Sequence, residues 1–472
     1  MNRLQVLAIA AVTIAAGCSS TLSPTAPVPR TSANPPPAIQ HVIIMLQENR
    51  SFNTLFMSFP GADTSTTGRC KPFTPSGSPT ICDERDKNKR IVQMHPITLE
   101  TNRRLGGVDI VHSHSTFETE YDDKKMDGFD AINLGTTGSQ GPALFYPYAF
   151  VVRREVQPYW DMASRYTLAD HMFSTATTDS FVAHQQIIAG TTQLNSDESL
   201  TDTPSNYPWG CDAPPGTVTG VIYSSGRVND FGGPFPCLTQ YKTMADVLDA
   251  AGVSWKYYVN SLQSAETSGI RWDAYDAIKA VRYGSDWKKV STPNKTIFSD
   301  IKNGALPQVS WVIPEIQESD HPASASNKGP SWVASVVNAV GTSSYWKNSV
   351  IVVLWDDWGG YYDNVPPPQL DYTSLGMRVP MIIISPFAKR HYVSKTQYEF
   401  GSVLKFIEQN FGTGSLGSTD VRANSIRDVL NESQQPDLFK IIKAPWSGPY
   451  FLREHPAASD QQIIKADGGV PD

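Results

Sequence analysis

An unbroken apolar run, Val350-Ile351-Val352-Val353-Leu354, is followed at once by Trp355-Asp356-Asp357-Trp358-Gly359. A continuous run of this kind is typical of a strand that is buried on both faces of a parallel sheet. In open α/β sheets, the carboxyl ends of such strands carry the binding and catalytic groups. The run therefore predicts an α/β fold with two adjacent carboxylates at the functional edge of its sheet.

The same arrangement recurs near the start of the chain. A second apolar run covers His41 to Leu46, and Glu48 and Asn49 follow it closely. Because neighbouring parallel strands end at one edge of a sheet, we expect these side chains to lie beside Asp356 and Asp357. Clustered carboxylates repel one another unless a cation lies among them, so the pattern predicts a metal site. The alternative is that Asp356 and Asp357 only form a solvated turn.

Apolar periodicity places further elements between and after these two runs. Strands are predicted at 309–313 and 379–384, and helices at 243–251, 331–340 and 400–411. Strands that alternate with helices favour a mostly parallel sheet flanked by helices.

Four cysteines lie in or beside two stretches rich in Gly, Pro, Ser and Thr, from about residue 61 to 107 and from 195 to 236. In an exported protein these cysteines are expected to form disulfides that staple surface insertions. We predict local pairing, Cys70 with Cys82 and Cys211 with Cys237, although four cysteines allow three connectivities.

The first residues predict export from the cytoplasm. Residues 1–17 have a basic start and an apolar stretch, and Gly17-Cys18-Ser19 is similar to the cleavage box of bacterial lipoproteins. This predicts a lipid anchor at Cys18 and a lipoprotein, by default of the outer membrane, that faces the periplasm or the cell surface. Because Ala15 stands where leucine is commoner, a secreted protein with an ordinary signal peptide is the alternative.

The remaining chain is divided by composition. Residues 18–38 are predicted to form a Pro-rich tether, 39–445 one catalytic domain and 446–472 a C-terminal tail. After the leader, no apolar segment reaches the about 20 residues of a membrane span, so membrane attachment is expected only through the lipid. A net charge of -7 without a long Lys/Arg cluster argues against nucleic acid as a partner.

Ser180 and His184 precede the apolar segment Gln185–Ala189. This spacing predicts a helix that begins at Ser180 and carries His184 on the same face one turn later. Helix N-termini bind phosphate, and a serine hydroxyl beside a metal can lose its proton and attack phosphorus. The alternative is a serine that only caps the helix.

Three of the nine histidines have informative neighbours. His112 and His114 precede an acidic segment, and His321 follows the predicted strand at 309–313. Each can ligate a metal, contact a phosphate oxygen or protonate a leaving alkoxide, or can simply bond to loop backbone.

Together these motifs, in this order, resemble the bacterial phosphoesterase family, which includes non-haemolytic phospholipase C and a respiratory-burst-inhibiting acid phosphatase. The resemblance runs from about His41 to Phe411 and implies an alkaline-phosphatase-like core, one divalent metal ion and a phosphoserine intermediate. It rests on Glu48-Asn49-Arg50-Ser51-Phe52, Met126-Asp127-Gly128-Phe129, Ser180 with His184, Ser319-Asp320-His321-Pro322, Asp356-Asp357-Trp358-Gly359-Gly360 and Arg378-Val379-Pro380.

The resemblance implies a role for eight residues. Four would bind the metal, one would be the nucleophile, two would be catalytic histidines at the phosphate, and one would contact the substrate phosphate. In that order they are Glu48, Asn49, Asp356 and Asp357; Ser180; His114 and His321; and His184. Oxygen ligands suit Ca²⁺, Mg²⁺ or Mn²⁺, and a histidine ligand would favour Zn²⁺ or iron.

Two residues depart from the family pattern. Asn53 stands where aspartate is common, and Asn364 stands where histidine is common. Neither falls on a predicted metal or nucleophile position, so the departures bear on substrate preference or pH optimum.

The leading hypothesis is a metal-dependent phosphoric ester hydrolase that acts on phosphomonoesters or phospholipids. The alternative is a surface lipoprotein that binds a phosphorylated ligand or a host partner without turnover. A sulfatase is a third hypothesis, disfavoured because no sulfatase-type modification motif is present.

Overall fold

The two apolar runs form neighbouring strands at the centre of an eight-stranded sheet. Ser349–Trp355 is buried along its whole length, and His41–Gln47 pairs with it in parallel, residue for residue. Strands covered on both faces need apolar side chains at every position, which is why the runs do not alternate. The other two predicted strands are present as Val309–Val312 and Met381–Ile384.

One strand of this sheet runs against the others. Met381–Ile384 is antiparallel to both neighbours, whereas the remaining pairings in the described sheet are parallel. The start of this reversed strand therefore lies at the edge where the other strands end. In spatial order the strands are Val290–Ser291, Trp255–Tyr258, Val309–Val312, His41–Gln47, Ser349–Trp355, Met381–Ile384, Thr167–Ala169 and Tyr392–Ser394.

The three predicted helices span Met244–Ala250, Gly329–Gly341 and Phe400–Phe411. Phe400–Phe411 begins with a capping box at Glu399 and ends at Gly412, whose φ of +65° suits glycine. The other α-helices are Phe52–Phe56, Thr101–Arg104, His114–Tyr121, Gln157–Arg165, Ser180–Ala189, Gly269–Trp272, Lys279–Arg282, Thr296–Lys302, Thr419–Arg422 and Gly448–Arg453.

Disulfides staple both predicted insertions. Cys70 is bonded to Cys82 and Cys211 to Cys237, as local pairing predicted. Small sheets lie in or near these insertions: Thr67–Arg69 with Ile91–Gln93; His95–Ile97 with Ala149–Val151; Asp109–Ile110 with Leu134–Gly135; and Glu198–Thr201, Gly220–Tyr223 and Val228–Asn229 together.

This computed structural model describes residues 38–71, 81–82, 90–105, 107–135, 141–262, 268–323 and 326–453. The predicted leader at 1–17, Cys18 and nearly all of the tether lie outside these residues. A compact unit begins at Pro37 and contains every described residue. The domain at 39–445 and the tail at 446–472 remain predictions. None of the described helices is long and apolar enough to cross a membrane.

The fold is thus α/β, with a mostly parallel sheet, flanking helices and disulfide-stapled insertions, as the sequence predicted.

Candidate functional site

The register of the two central strands brings the predicted metal-binding residues together. Because the strands pair residue for residue, Glu48 and Asn49 leave the sheet at the level of Asp356 and Asp357. All four side chains are 0% exposed. The Asn49 backbone N donates to Asp356 Oδ1 at 3.0 Å, and Asn49 Nδ2 donates to Asp357 Oδ2 at 3.2 Å.

Two residues with a positive φ meet at the same point. Asn49 has a φ of +56°, a left-handed conformation that asparagine tolerates better than most residues. Gly359 has a φ of +59°, and a Cβ there would lie 2.4 Å from the Asn49 carbonyl oxygen. Only glycine lets the turn after Asp357 pack this closely. Such strain is characteristic of functional sites.

Ser180 begins the helix Ser180–Ala189 and directs its hydroxyl at this cluster. Ser180 Oγ donates to Asp357 Oδ2 at 3.1 Å and accepts from Asn49 Nδ2 at 3.3 Å. All ten residues of the helix are buried, and four of them are polar: Ser180, His184, Gln185 and Gln186. The first backbone N–H groups of a helix have no partner within it, so this end favours an anion next to the hydroxyl.

His184 lies one turn along the same helix and contacts two carboxylates. Its Nε2 is 3.0 Å from Glu48 Oε1 and 3.8 Å from Asp356 Oδ2. One potential ligand atom from each of these three buried residues lies within 4.8 Å of the others. The structure therefore groups His184, predicted to contact phosphate, with the candidate metal ligands.

Two buried oxygens in the cluster accept no hydrogen bond from any residue that the structure describes. They are Asn49 Oδ1 and Asp356 Oδ2. Leaving such an atom unsatisfied costs about 1–3 kcal/mol, and a cation would satisfy both. The donor set fits a divalent metal. With a histidine nitrogen among the oxygens, it fits Mn²⁺, Zn²⁺ or iron better than Ca²⁺ or Mg²⁺.

His112 also reaches the cluster, although its sequence neighbours did not distinguish it from His114. Its Nδ1 is 2.6 Å from the Ile110 carbonyl, which can only accept, so in the neutral ring Nδ1 carries the proton. Its Nε2 then accepts from Asn49 Nδ2 at 2.8 Å and lies 3.8 Å from Asp357 Oδ2. The signal that could have found it is the apolar pair Ile110-Val111 directly before it, since Ile110 ends a short strand.

His114 instead supports the segment that leads to Ser180. Its Nδ1 lies 2.9 Å from Thr177 Oγ1, and its backbone N donates to Asp202 Oδ1 at 2.7 Å. Thr178 Oγ1 donates to the same Asp202 oxygen at 2.7 Å. The catalytic role predicted for His114 remains a prediction.

His321 lies beside the same tryptophan ring as His184. Its ring is 6.1 Å from that of Trp272, which stacks on His184 at 6.4 Å, and its Nε2 is 3.9 Å from Asp109 Oδ2. The preceding Asp320 is buried, and burial raises the pKa of its carboxyl to about 6. The catalytic role of His321 also remains a prediction.

A second group of buried carboxylates lies near the same edge of the sheet. Arg378 comes shortly before the reversed strand, and its Nε donates to Asp363 Oδ1 at 2.9 Å. Its Nη1 donates to Asp170 Oδ1 at 3.2 Å, and Lys395 also bonds to Asp170. Burial raises the pKa of Asp363, and the Arg378 charge opposes that rise. We call Arg378, Asp363, Asp170 and Lys395 the arginine network.

Both departures from the family pattern border the arginine network. The Asn53 backbone N donates to Asp363 Oδ2 at 3.0 Å, and Arg378 Nη2 donates to Asn364 Oδ1 at 3.3 Å. The departures therefore alter a structural neighbour of the site and not its candidate metal ligands.

Related proteins are named phospholipases C. The non-hemolytic phospholipase C of Pseudomonas aeruginosa is 24% identical over 416 residues, which cover 79% of this chain and 54% of that protein. The phospholipase C B of Mycobacterium tuberculosis is 24% identical over 488 residues, which cover 91% of this chain and 85% of that protein. This chain thus spans about half the length of the Pseudomonas relative.

Among solved structures, a protein in the alkaline phosphatase superfamily from Vibrio parahaemolyticus has a TM-score of 0.33 at 13% identity, covering 58% of this chain and 65% of that chain. A 2-O GAG sulfatase has a TM-score of 0.34 at 10% identity, covering 60% and 70%. The sequence model of the phosphoesterase family matches residues 39–414 of this chain. That match covers most of the sequence, and the chain therefore belongs to the phosphoesterase family.

Proposed function

We propose that this protein is a metal-dependent hydrolase of phosphoric esters that acts through Ser180 and a phosphoserine intermediate. The carrying observation is the buried convergence of Ser180 Oγ, Asn49 Nδ2 and Asp357 Oδ2, at 3.1 to 3.3 Å, beside the candidate metal ligands. Membership of the phosphoesterase family and the phospholipase C names of the relatives support the same reaction class.

A divalent metal held by Glu48, His184, Asp356 and the Asn49 amide oxygen would lower the pKa of a nearby hydroxyl and neutralise phosphate charge. In the chain itself, Asp357 Oδ2 accepts the Ser180 proton, and the freed Oγ attacks phosphorus. The new P–Oγ bond forms as the bond to the leaving alkoxide breaks. The backbone N–H groups of the helix beginning at Ser180 stabilise the phosphoryl oxygens.

Histidines complete the proton transfers. We place His112 at the phosphate because its Nε2 faces Asn49 and Asp357. His321 is the candidate donor of a proton to the leaving alkoxide. Water then attacks the phosphoserine and gives a proton to His321, which is neutral after the first step. The P–Oγ bond breaks, and the proton held by Asp357 returns to Ser180 Oγ. His114 acts in this scheme by holding Thr177, three residues before the nucleophile.

The test is an assay of metal-reconstituted protein on p-nitrophenyl phosphate, p-nitrophenyl phosphorylcholine and p-nitrophenyl sulfate. Ser180→Ala is expected to lower kcat by about a thousandfold or more with metal still bound. Ser335→Ala is the matched control, since Ser335 is also buried in a helix and its Oγ has no partner among the described residues. Acid-quenched wild type should carry one phosphoryl group on the peptide that contains Ser180.

The outcomes separate the candidate functions. Turnover of the monoester alone indicates a phosphatase, and turnover of the choline diester indicates a phospholipase C. Full activity in Ser180→Ala would contradict the nucleophile assignment. Metal binding without turnover of any substrate would favour a surface lipoprotein that only binds a phosphorylated ligand, and sulfate turnover would favour a sulfatase.

We also propose that the protein is exported through residues 1–17 and lipid-anchored at Cys18, as the sequence pattern indicates. Metabolic labelling with a radioactive fatty acid should label the wild type and not Cys18→Ser. Label on neither protein would favour the secreted alternative.

A further inference from the structure

A segment near the end of the described chain is basic and apolar at once. Residues 438–453, here called the C-terminal strap, contain Lys440, Lys443 and Arg453 but no acidic residue. The whole chain carries a net charge of -7, so the strap is locally opposite in sign to the protein. Half of its residues are large apolar or aromatic side chains.

One side of the strap is fixed against the helix Gly329–Gly341. The Ile442 backbone N donates to Asn338 Oδ1 at 2.8 Å, and Asn338 Nδ2 donates to the Ile442 carbonyl at 2.9 Å. The Phe451 ring lies 5.5 Å from that of Trp332. Ile442 and Phe451 are buried. The strap is therefore held in place against the rest of the fold.

The strap leaves large apolar side chains in solvent. Leu438 is 90% exposed, Ile441 62% and Leu452 56%. Ile441 and Leu452 also line a groove of about 650 Å³, together with Phe298, Trp446 and other residues of the strap and the helix beneath it. Lys440 and Lys443 are exposed beside these side chains. Single exposed apolar residues are common, but a cluster of them on one short segment marks an interaction surface.

We propose that the C-terminal strap is a docking surface for an anionic phospholipid bilayer. Apolar side chains that enter the acyl boundary next to lysines that meet lipid phosphates are the pattern of interfacial membrane binding. Half-buried Trp446 and Tyr450 supply rings suited to the headgroup level. This contact is separate from the Ser180 cluster and from a lipid at Cys18, and it does not depend on the proposed catalysis.

The test is vesicle co-sedimentation of residues 19–472, which keep the whole compact unit from Pro37 and lack the lipid anchor. Vesicles of phosphatidylcholine are compared with vesicles that also contain phosphatidylglycerol, with chelator present so that no lipid is hydrolysed. The strap variants are Leu438→Ser/Ile441→Ser/Leu452→Ser and Lys440→Glu/Lys443→Glu. The controls change exposed residues elsewhere: Phe231→Ser, 72% exposed, and Lys279→Glu/Lys288→Glu.

Wild type is expected to bind the anionic vesicles and to lose binding as salt rises. Each strap variant should lower the partition coefficient by about tenfold or more, with both controls unchanged. Circular dichroism and turnover of a water-soluble substrate should be unchanged in all variants. Absence of wild-type binding, or equal binding by strap and control variants, would overturn the proposal. A wild-type dimer that the strap variants lose, without vesicle binding, would overturn it in favour of a second copy.

Discussion

Two groups of buried carboxylates lie near one edge of the sheet, and their negative charges have different partners. In the arginine network, Asp363 and Asp170 meet Arg378, whose charge is permanent, at 2.9 and 3.2 Å. In the Ser180 cluster, Asp356 has His184 at 3.8 Å as its ion-pair partner within the described residues, and its Oδ2 accepts no hydrogen bond there. Histidine carries a charge only when protonated.

The difference indicates what each group is for. A buried carboxylate must be paired, protonated or bound to a metal, because an isolated charge is strongly disfavoured inside a protein. The arginine network is complete within the chain and is therefore structural. In the Ser180 cluster, Asn49 Oδ1 and Asp356 Oδ2 accept no hydrogen bond from the described residues, which is the physical basis for expecting a metal there.

The strongest test of the structural group is Arg378→Met. Removing a buried guanidinium leaves Asp363 without a cation and Asp170 with Lys395 alone, and we expect the free energy of unfolding to fall by about 3–5 kcal/mol. Arg390→Met is the control, since its ion pair with Asp437 has an arginine side chain that is 61% exposed. That variant should lose about 0–1 kcal/mol in urea denaturation. Equal losses would contradict the contrast between the two groups.

Neutralising one carboxylate in each group should have opposite effects in metal-free protein. Asp363→Asn weakens the bonds to Arg378 and should cost about 2–3 kcal/mol. Asp356→Asn removes a negative charge from the Ser180 cluster and should raise the free energy of unfolding by about 1 kcal/mol. Asp356→Asn should also lower kcat by about a thousandfold in the presence of metal. Urea denaturation with chelator checks the signs, and a loss of stability in both variants would contradict them.

Metal addition should stabilise the protein through the Ser180 cluster alone. At a free metal concentration about 100 times Kd, binding to the folded state adds about 2.7 kcal/mol. The rise in Tm should survive in Asp363→Asn and disappear in Asp356→Asn. Thermal denaturation with Mn²⁺, Zn²⁺, Fe²⁺ and Ca²⁺ in turn measures it and ranks the metals. A rise retained in Asp356→Asn would place the metal elsewhere.

Glu408 illustrates the third solution, in which burial favours the protonated form of a carboxyl. Burial raises its pKa from 4.5 to about 7, so its contribution to stability is present below pH 4.5 and is lost as pH rises to 7. Glu408→Gln keeps an acceptor for the Leu416 N–H, now 2.9 Å from Oε1, without a charge. It should raise the free energy of unfolding by about 1 kcal/mol at pH 8 and leave it unchanged at pH 4. A gain at both pH values would point to a cause other than titration.

The sequence predicts the centre of this fold well because one rule governs it. Strands covered on both faces need continuous apolar runs. The sequence therefore predicts the strands His41–Gln47 and Ser349–Trp355 and the polar residues after them. The short strands Thr167–Ala169 and Tyr392–Ser394 were missed, because three residues carry no usable period. The reversed direction of Met381–Ile384 could not be predicted either, because a continuous apolar run does not indicate whether its strand is parallel or antiparallel to its neighbours.

The sequence also predicts the positions of some site residues and not of others. Residues attached directly to the central strands or to the buried helix, such as Asp356 and Ser180, lie where their position in the sequence predicted. His112 lies in a loop after the two-residue strand Asp109–Ile110, and His114 begins the helix His114–Tyr121. Their positions therefore depend on long-range contacts such as His114 with Asp202. Their spacing in the sequence contains no information about those contacts.

The position of His41–Gln47 has a consequence for synthesis of the chain. This strand comes first among the described elements but lies in the middle of the sheet, and its two neighbours begin at Val309 and Ser349. A growing chain therefore exposes both edges of its central strand until most of the protein has been made. Long-range strand pairing of this kind forms slowly, and the chain remains incompletely folded until the later strands are available. This delay is compatible with the export that we propose, because a chain whose sheet has not formed can cross a membrane unfolded and complete the sheet on the far side.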